Sequence, residues 1–233
     1  VLTIACLFYG DYDVLARRLL TSLAARLPSP VVRKVVLRGN CVSVDTYGLL
    51  KRFEADHRDL ANLHCSDVNH YKYPVLRSVI HDQQLVDDDD VLMWFDDDSC
   101  VRPTAADDWL TTAAAAVDGY DVVGQPWRAR LRPGQLRWIQ SRPWYAGRPV
   151  GDPVQFPTGG WWMARVDVLR RYDWPDPMIN HRGGDVMTGA LIEQQRLRFR
   201  AWADGVAINA DAMLNDAKSP RRGHDEPPVG VDP

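Results

Sequence analysis

Lysine is scarce in this 233-residue chain: Lys34, Lys51, Lys72 and Lys218 are the only ones among 28 basic residues. Against 31 acidic residues the formal net charge is −3, which excludes a surface that is basic throughout and with it the simplest kind of nucleic-acid binder. Cysteine is also sparse. Cys6, Cys41, Cys65 and Cys100 stand far apart, without the paired spacing of a metal site, and read as small buried thiols. No apolar stretch approaches the ~18 residues of a membrane span, and no signal peptide is visible. The expectation is therefore a cytoplasmic protein without a transmembrane segment. No glycine-rich loop follows the first apolar run, which removes the usual mark of a phosphate-cradling loop.

Apolar mass and aspartate are plentiful. Hydrophobic residues make up 45% of the chain, enough for one sizeable core. Val91-Leu92-Met93-Trp94-Phe95 runs directly into Asp96-Asp97-Asp98. Valine, leucine and aromatics favour a buried strand, and three adjoining carboxylates repel one another unless a cation or hydrogen-bond donors compensate them. In an open α/β sheet the carboxyl ends of strands are where ligands bind, so a divalent metal holding substrate phosphates is the leading reading. A second acidic run, Asp87–Asp90, follows no strand and fits a solvated turn.

Apolar spacing predicts a strand at Val1–Phe8, a polar turn at Tyr9–Tyr12, and a helix from Asp13 to Leu27 stopped by Pro28 and Pro30. A strand at Val31–Leu37 follows, then an ambiguous stretch from Val44 to Leu63. Helices are expected from Tyr73 or Val75 to Gln84 and over Thr104–Val117, with a strand beginning at Asp121. This alternation argues for a mostly parallel sheet covered on both faces. Residues 124–160, rich in Gly, Pro, Trp and Arg, break the rhythm. Helices at Val166–Tyr172 and Val186–Leu197 come next, with late strands at Phe199–Ala203 or Val206–Ile208 and no core pattern beyond Asp216.

Taken in order, Leu2–Tyr12, Asn69–Arg77, Trp94–Asp98, Phe156–Arg165 and His181-Arg182-Gly183-Gly184-Asp185 resemble a nucleotide-sugar glycosyltransferase of the GT-A superfamily, family 2-like and containing an Asp-x-Asp motif. The resemblance implies an α/β fold of GT-A type: a Rossmann-like, mostly parallel central sheet flanked by helices, with an irregular acceptor-side insertion and a C-terminal tail. It implies a single domain over 1–233. Residues 1–123 would bind the nucleotide sugar, 124–215 would form the acceptor side, and 216–233 would be a tail or lid. Mn²⁺ or Mg²⁺ is implied, with a UDP- or GDP-sugar as donor. Asp98 is the expected metal ligand, Asp96 would meet ribose or metal, and Asp97 would assist from behind. His224 would be a third protein ligand. Tyr9, Asp11, Arg38, Lys72 and Arg77 are expected beside the nucleoside and its phosphates.

Asp185, after a Gly-Gly turn and before a helix, is the expected general base of an inverting transfer. Many inverting relatives carry a Glu-Asp pair there; this chain has one aspartate. Gly159 and Gly160 would let the backbone approach the sugar. Trp161, Trp162, Trp144 and Tyr145 are expected to face sugar or acceptor, with one of the adjacent tryptophans in the core because neighbours in a strand point to opposite faces.

Residues 122–151 hold Arg128, Arg130, Arg132, Arg137, Arg142 and Arg148 and no lysine, aspartate or glutamate. Interleaved with Trp127, Trp138, Trp144 and Tyr145, they suit an anionic acceptor such as a phosphorylated glycan, lipid phosphate or nucleic acid, or simple pairing with the chain's aspartates. The acceptor is left open among glycan, glycolipid, protein and modified DNA. Two other classes use similar residues: a metal-dependent nucleotidyltransferase, and a noncatalytic nucleic-acid- or carbohydrate-binding protein.

Overall fold

Successive residues of a strand face opposite ways, and in the central strands both ways lead to apolar cover. In the computed structural model, which describes residues 1–181 and 183–208, β1 (Leu2–Gly10) turns Leu2, Ile4, Cys6 and Phe8 to one core and Ala5 and Leu7 to another. β4 (Val91–Asp96) divides Met93 and Phe95 from Leu92 and Trp94 in the same way. Burial on two sides is why these strands read as continuous apolar runs.

Between them lie α1 (Asp13–Ala24), β2 (Val32–Val42), α2 (Val44–Asp56), β3 (Ala61–Ser66) and α3 (Lys72–His81). After β4 come β5 (Cys100–Val101), α4 (Trp109–Ala116), β6 (Val122–Ala129), α5 (Gln135–Gln140) and β7 (Val154–Arg165). The described chain ends with α6 (Val166–Arg171), α7 (Gly184–Gln195), β8 (Phe199–Ala201) and β9 (Val206–Ala207). Seven strands form one sheet in the order β3-β2-β1-β4-β7-β6-β8, while β5 and β9 make a small antiparallel ribbon. Within the large sheet only β7 opposes the common direction. Leu19, Leu23, Leu50, Phe53, Trp109 and Leu110 bring α1, α2 and α4 onto one face. Leu76, Val79, Leu169, Ala190 and Leu191 bring α3, α6 and α7 onto the other. No helix among the described residues is long and apolar enough to cross a membrane.

The chain leaves β1 towards β2 on one side and returns to β4 on the other. The crevice at the carboxyl ends of β1 and β4 is therefore the switch point at which open α/β sheets bind ligands. The Asp87–Asp90 run lies at the opposite end of β4, where two arginines offset part of its charge and Asp90 is buried instead of solvated. Arg33 pairs with Asp87 and Asp90, and Arg170 pairs with Asp88 at 2.5 Å.

Some boundaries differ from the sequence expectation. The first helix stops at Ala24, β2 continues to Val42, and the ambiguous stretch resolves into α2 and β3. Both late strands form. The largest departure is in 124–160, which contains most of β6, all of α5 and the first half of the 12-residue β7. Gly124 faces Trp162 while Pro126 faces Pro157, so the four β7 residues 158–161 stand opposite Gln125 alone. Neither proline can donate to the ladder, which accounts for both the hidden strand and the broken register. Bulges of this kind re-aim backbone beside functional sites.

Candidate active site

The strand's end fixes the acidic group. Ser99 N–H donates back to the Asp96 carbonyl at 3.0 Å, turning the chain immediately after β4. Asp96, Asp97 and Asp98 then line a cleft of about 380 Å³. Its other walls include Tyr9 of β1, Asn40 of β2, Lys72 and Tyr73 of α3, Gly159 and Gly160 of β7, and Asp185 of α7.

Each carboxylate is held differently. Asp96 accepts from Trp94 Nε1 through Oδ1 at 2.8 Å and from Lys72 Nζ through Oδ2 at 2.7 Å. Buried Asp97 accepts the Tyr9 backbone N–H at 3.2 Å, tying the end of β4 to the end of β1. Ser99 donates to Asp98 Oδ1 at 3.3 Å, and Arg18 of α1 donates to the Asp98 carbonyl at 3.0 Å.

Lys72 stands between the two acidic sides of the cleft. Its Nζ also donates to the Gly159 carbonyl at 2.6 Å and lies 6.0 Å from the ring centroids of both Tyr73 and Trp94. Burial alone would lower its pKa, but Asp96, Asp185 and Asp98 together raise it above the ordinary lysine value, so the ammonium stays charged. The neighbouring Tyr73 hydroxyl donates to Asp185 Oδ1 at 2.6 Å. Burial and then the Asp185 charge push that phenol well above its ordinary pKa, keeping it a donor.

Glycines permit this closeness. A Cβ on Gly159 would stand 2.7 Å from Asp185 Oδ2 and 3.0 Å from Lys72 Nζ. One on Gly184 would stand 2.0 Å from the Tyr73 ring. Gly183 has φ +87°, so the Gly-Gly-Asp sequence combines a left-handed turn, room for a ring, and a carboxylate in the first turn of α7, where the helix amides favour negative charge.

Of the residues expected in the site, Tyr9, Lys72, Asp96, Asp97, Asp98, Gly159, Gly160 and Asp185 line the cleft. The others lie elsewhere. Asp11 is exposed in the turn after β1. Arg38 is buried in β2, where it donates to the Leu37 carbonyl at 3.0 Å and to Asn62 Oδ1 at 3.1 Å. Arg77 points to the loop before α7, donating to the Asp173 and Pro175 carbonyls at 3.1 and 2.7 Å. Trp161 packs against Phe95, Trp109 and Trp202 on one sheet face. Trp162 stacks on Trp94 at 6.2 Å and meets Trp174 edge-on at 5.6 Å on the other. Because both faces are buried, both tryptophans are core residues and neither faces sugar. Trp144 is buried in the same core as Trp162, with Tyr145 packed against it. His224 lies outside the described residues.

Asn40, at the end of the second strand and a candidate there beside Arg38, lines the cleft, and Tyr73, Asn69 and Arg132 line it without having been singled out for the donor side. Asn69 accepts from Asn40 Nδ2 and from Tyr71 N–H, both at 2.8 Å, joining β2 to the start of α3. In the sequence Tyr73 stands only as a possible first residue of a helix, and nothing in the spacing separates Arg132 from the arginines around it.

Among the described residues, no three His, Cys, Asp or Glu side chains form a metal-holding cluster. Asp96 and Asp98 nevertheless offer hard oxygen donors in one cleft. Mg²⁺ and Mn²⁺ suit such donors, and Mg²⁺ is commonly held by one or two carboxylates with substrate phosphates and water completing the shell. The donor set fits.

The sequence matches no protein-family model and no curated protein. The structure is similar to a mannosyltransferase from Pyrobaculum calidifontis in complex with GDP-Man and Mn²⁺ (TM-score 0.57, 15% identity, covering 87% of this chain and 55% of that one). It is also similar to GalNAc-T7 with UDP, GalNAc and Mn²⁺ (TM-score 0.62, 12% identity, 90% and 42% covered). A third likeness is to a protein assigned as a glucose-1-phosphate thymidylyltransferase from Bacillus anthracis, in complex with sucrose (TM-score 0.52, 7% identity, 93% and 96% covered). The chain spans 55% and 42% of the first two, roughly half their length. Its fold is that of the GT-A class: a mixed, mostly parallel seven-stranded sheet between helices.

Proposed function

We propose that this chain is a divalent-metal-dependent, inverting glycosyltransferase that uses a nucleoside-diphosphate sugar. One observation carries the reading: the Asp96/Asp98 pair at the end of β4 shares its cleft with Asp185, and Lys72 and Tyr73 join the two sides. The likenesses solved with GDP-Man and Mn²⁺, and with UDP, GalNAc and Mn²⁺, support the donor and metal class. Residues 1–123 supply Tyr9, Asn40, Lys72 and the aspartates, while 124–215 supply Gly159, Gly160 and Asp185, which supports one domain with a donor half and an acceptor half.

Asp98 and Asp96 would hold Mg²⁺ or Mn²⁺, which when bound compensates the charge of the leaving diphosphate. Arg132, exposed and lining the same cleft, adds a fixed cation for those phosphates. Tyr73 occupies Asp185 Oδ1, so Oδ2 takes the acceptor proton as the acceptor oxygen attacks the anomeric carbon. Attack from the side opposite the leaving phosphate inverts the configuration. Lys72 ties Asp96 to the Gly159 backbone across the cleft.

The thymidylyltransferase likeness, which covers 96% of that chain, supports nucleotidyl transfer as a second reading. The test offers UDP-, GDP-, dTDP- and CMP-sugars with Mn²⁺ to wild type and Asp98→Asn, beside nucleoside triphosphates with sugar 1-phosphates. Nucleotide release from one donor, lost in the variant, is the expected result. Pyrophosphate release would transfer the assignment to the second reading. Failure to bind any nucleotide sugar or nucleoside triphosphate in the presence of metal would end both.

A further inference from the structure

Trp127 is the one exposed tryptophan of nine, 59% accessible, whereas the other eight are buried or half-buried. Strand alternation puts it on the same side of β6 as Gln125. Across the ladder Trp127 faces Phe156, and Thr158 follows two residues along β7. These four side chains, with Ile208, wall a second pocket of about 360 Å³. Gly159 and Asp185 line this pocket as well as the donor cleft, so one carboxylate borders both.

The chemistry of the walls is selective. An open indole face and a phenyl ring offer an apolar platform, while Gln125 offers an amide beside it. Thr158 is nine-tenths buried and its Oγ1 has no partner, a polar group of the kind that native structures rarely leave unsatisfied. No lysine or arginine is among the lining residues described. Arg128, one residue further along β6, lines a separate hollow with Pro126, Trp127 and Gln155, and there donates to Gln155 Oε1 at 3.3 Å. A stacked nucleobase would bring phosphates needing cations at the pocket wall. A sugar ring needs an aromatic face for its C–H side and neutral polar groups for its hydroxyls.

We propose that this pocket is the acceptor subsite and receives a pyranose ring stacked on Trp127, with one hydroxyl turned to Asp185. The inference rests on the glycosyltransferase reading above. In the step it serves, the acceptor O–H gives its proton to Asp185 and the oxygen bonds to the donor's anomeric carbon. The bond from that carbon to the phosphate oxygen breaks, and the nucleoside diphosphate leaves with the electron pair.

The experiment is saturation-transfer NMR with methyl glycosides of glucose, galactose, mannose and N-acetylglucosamine. Each is added to protein holding diamagnetic Mg²⁺ and whichever of UDP, GDP, dTDP or CMP binds by calorimetry. Wild type, Trp127→Ala and the control Tyr47→Ala, an exposed aromatic on α2, are compared. The expected result is binding of at least one glycoside, about tenfold weaker in Trp127→Ala and unchanged in the control. Asp185→Asn should keep glycoside binding while losing transfer. If the nucleotide binds but no glycoside does, or if Trp127→Ala binds glycoside as wild type does, this inference is overturned and the donor reading stands. Binding of a ten-residue oligothymidylate that is lost in Trp127→Ala and falls steeply with salt would replace the pyranose by nucleic acid. If no nucleotide binds, the proposed function fails and the acceptor subsite with it.

Discussion

Replacing Lys72 by methionine keeps a long unbranched stem and deletes the charge. The wild-type ammonium is 2.7 Å from Asp96 Oδ2, with side-chain exposures of 10% for Lys72 and 23% for Asp96. Removing one partner of a fully buried pair costs about 3–5 kcal/mol. Asp96 keeps the Trp94 donor and some solvent, which reduces the expected loss to about 2–3 kcal/mol. For a chain of this size each kcal/mol moves Tm by about 2–4 °C, so Lys72→Met should melt about 4–12 °C below wild type in chelator. Mn²⁺ should then act unequally. In wild type it must compete with Lys72 for Asp96; in the variant that oxygen is available, and saturation to about 100 times Kd returns about 2.7 kcal/mol. Thermal melts of both proteins with and without Mn²⁺, and without nucleotide, read the two effects. A variant within about 1 °C of wild type in chelator, or one that gains no more from Mn²⁺ than wild type does, refutes the view that Lys72 is the counter-charge of this cleft.

Gly184→Ala drives a methyl into the rigid Tyr73 ring and should cost at least about 1–3 kcal/mol in urea unfolding, with Asp185 displaced and turnover falling further than stability. Tyr73→Phe removes the 2.6 Å hydrogen bond to Asp185 and should lower kcat about tenfold while donor KM stays near wild type. Arg77→Ala should lower stability by about 1–2 kcal/mol and leave nucleotide affinity unchanged in calorimetry, because its guanidinium braces Asp173 and Pro175. Burial and then Arg77 lower the His81 pKa below its ordinary 6.5, so the unfolded chain binds the proton more readily. Stability is then full above about pH 6.5 and declines as pH falls through that value towards the folded one. His81→Gln should flatten the decline in Tm between about pH 7.5 and pH 5.5.

The parts legible in the sequence were those where one physical demand decides the residue. Val91–Phe95 had to be a strand covered on both faces, and Asp96–Asp98 had to end it. The helix that begins beside Asp185 was visible from its glycine turn and apolar spacing. β7 was hidden because its residues answer to two demands at once. Pro157 blocks a ladder position that Pro126 also leaves empty, and Gly159 must admit Asp185 and Lys72. Arg38 and Arg77 could not be told from phosphate ligands by position after a strand or on a helix, since their partners, Asn62 and Asp173, are set by tertiary packing. Lys72 meets Asp96 across 24 positions and Tyr73 meets Asp185 across 112, distances at which spacing carries no signal.

Those two long-range bonds also bear on which of the two proposed transfers the site suits better. In glycosyl transfer the reacting carbon lies between a departing phosphate and an arriving hydroxyl, so the groups serving each must be held at a fixed separation. Consecutive residues at the start of α3 are placed for this: Lys72 holds Asp96 on what would be the phosphate side, and Tyr73 holds Asp185 on what would be the hydroxyl side. An alcohol needs a base as it attacks, and Asp185, held through Oδ1 by Tyr73, is a carboxylate placed to supply one. In nucleotidyl transfer to a sugar phosphate the attacking oxygen is already ionised near neutral pH, because a phosphate monoester loses its second proton at a pKa of about 6. There a carboxylate across the cleft has no proton to take and repels the nucleophile. Asp185, bordering both the donor cleft and the neutral pocket beside Trp127, favours an uncharged hydroxyl as the group that arrives.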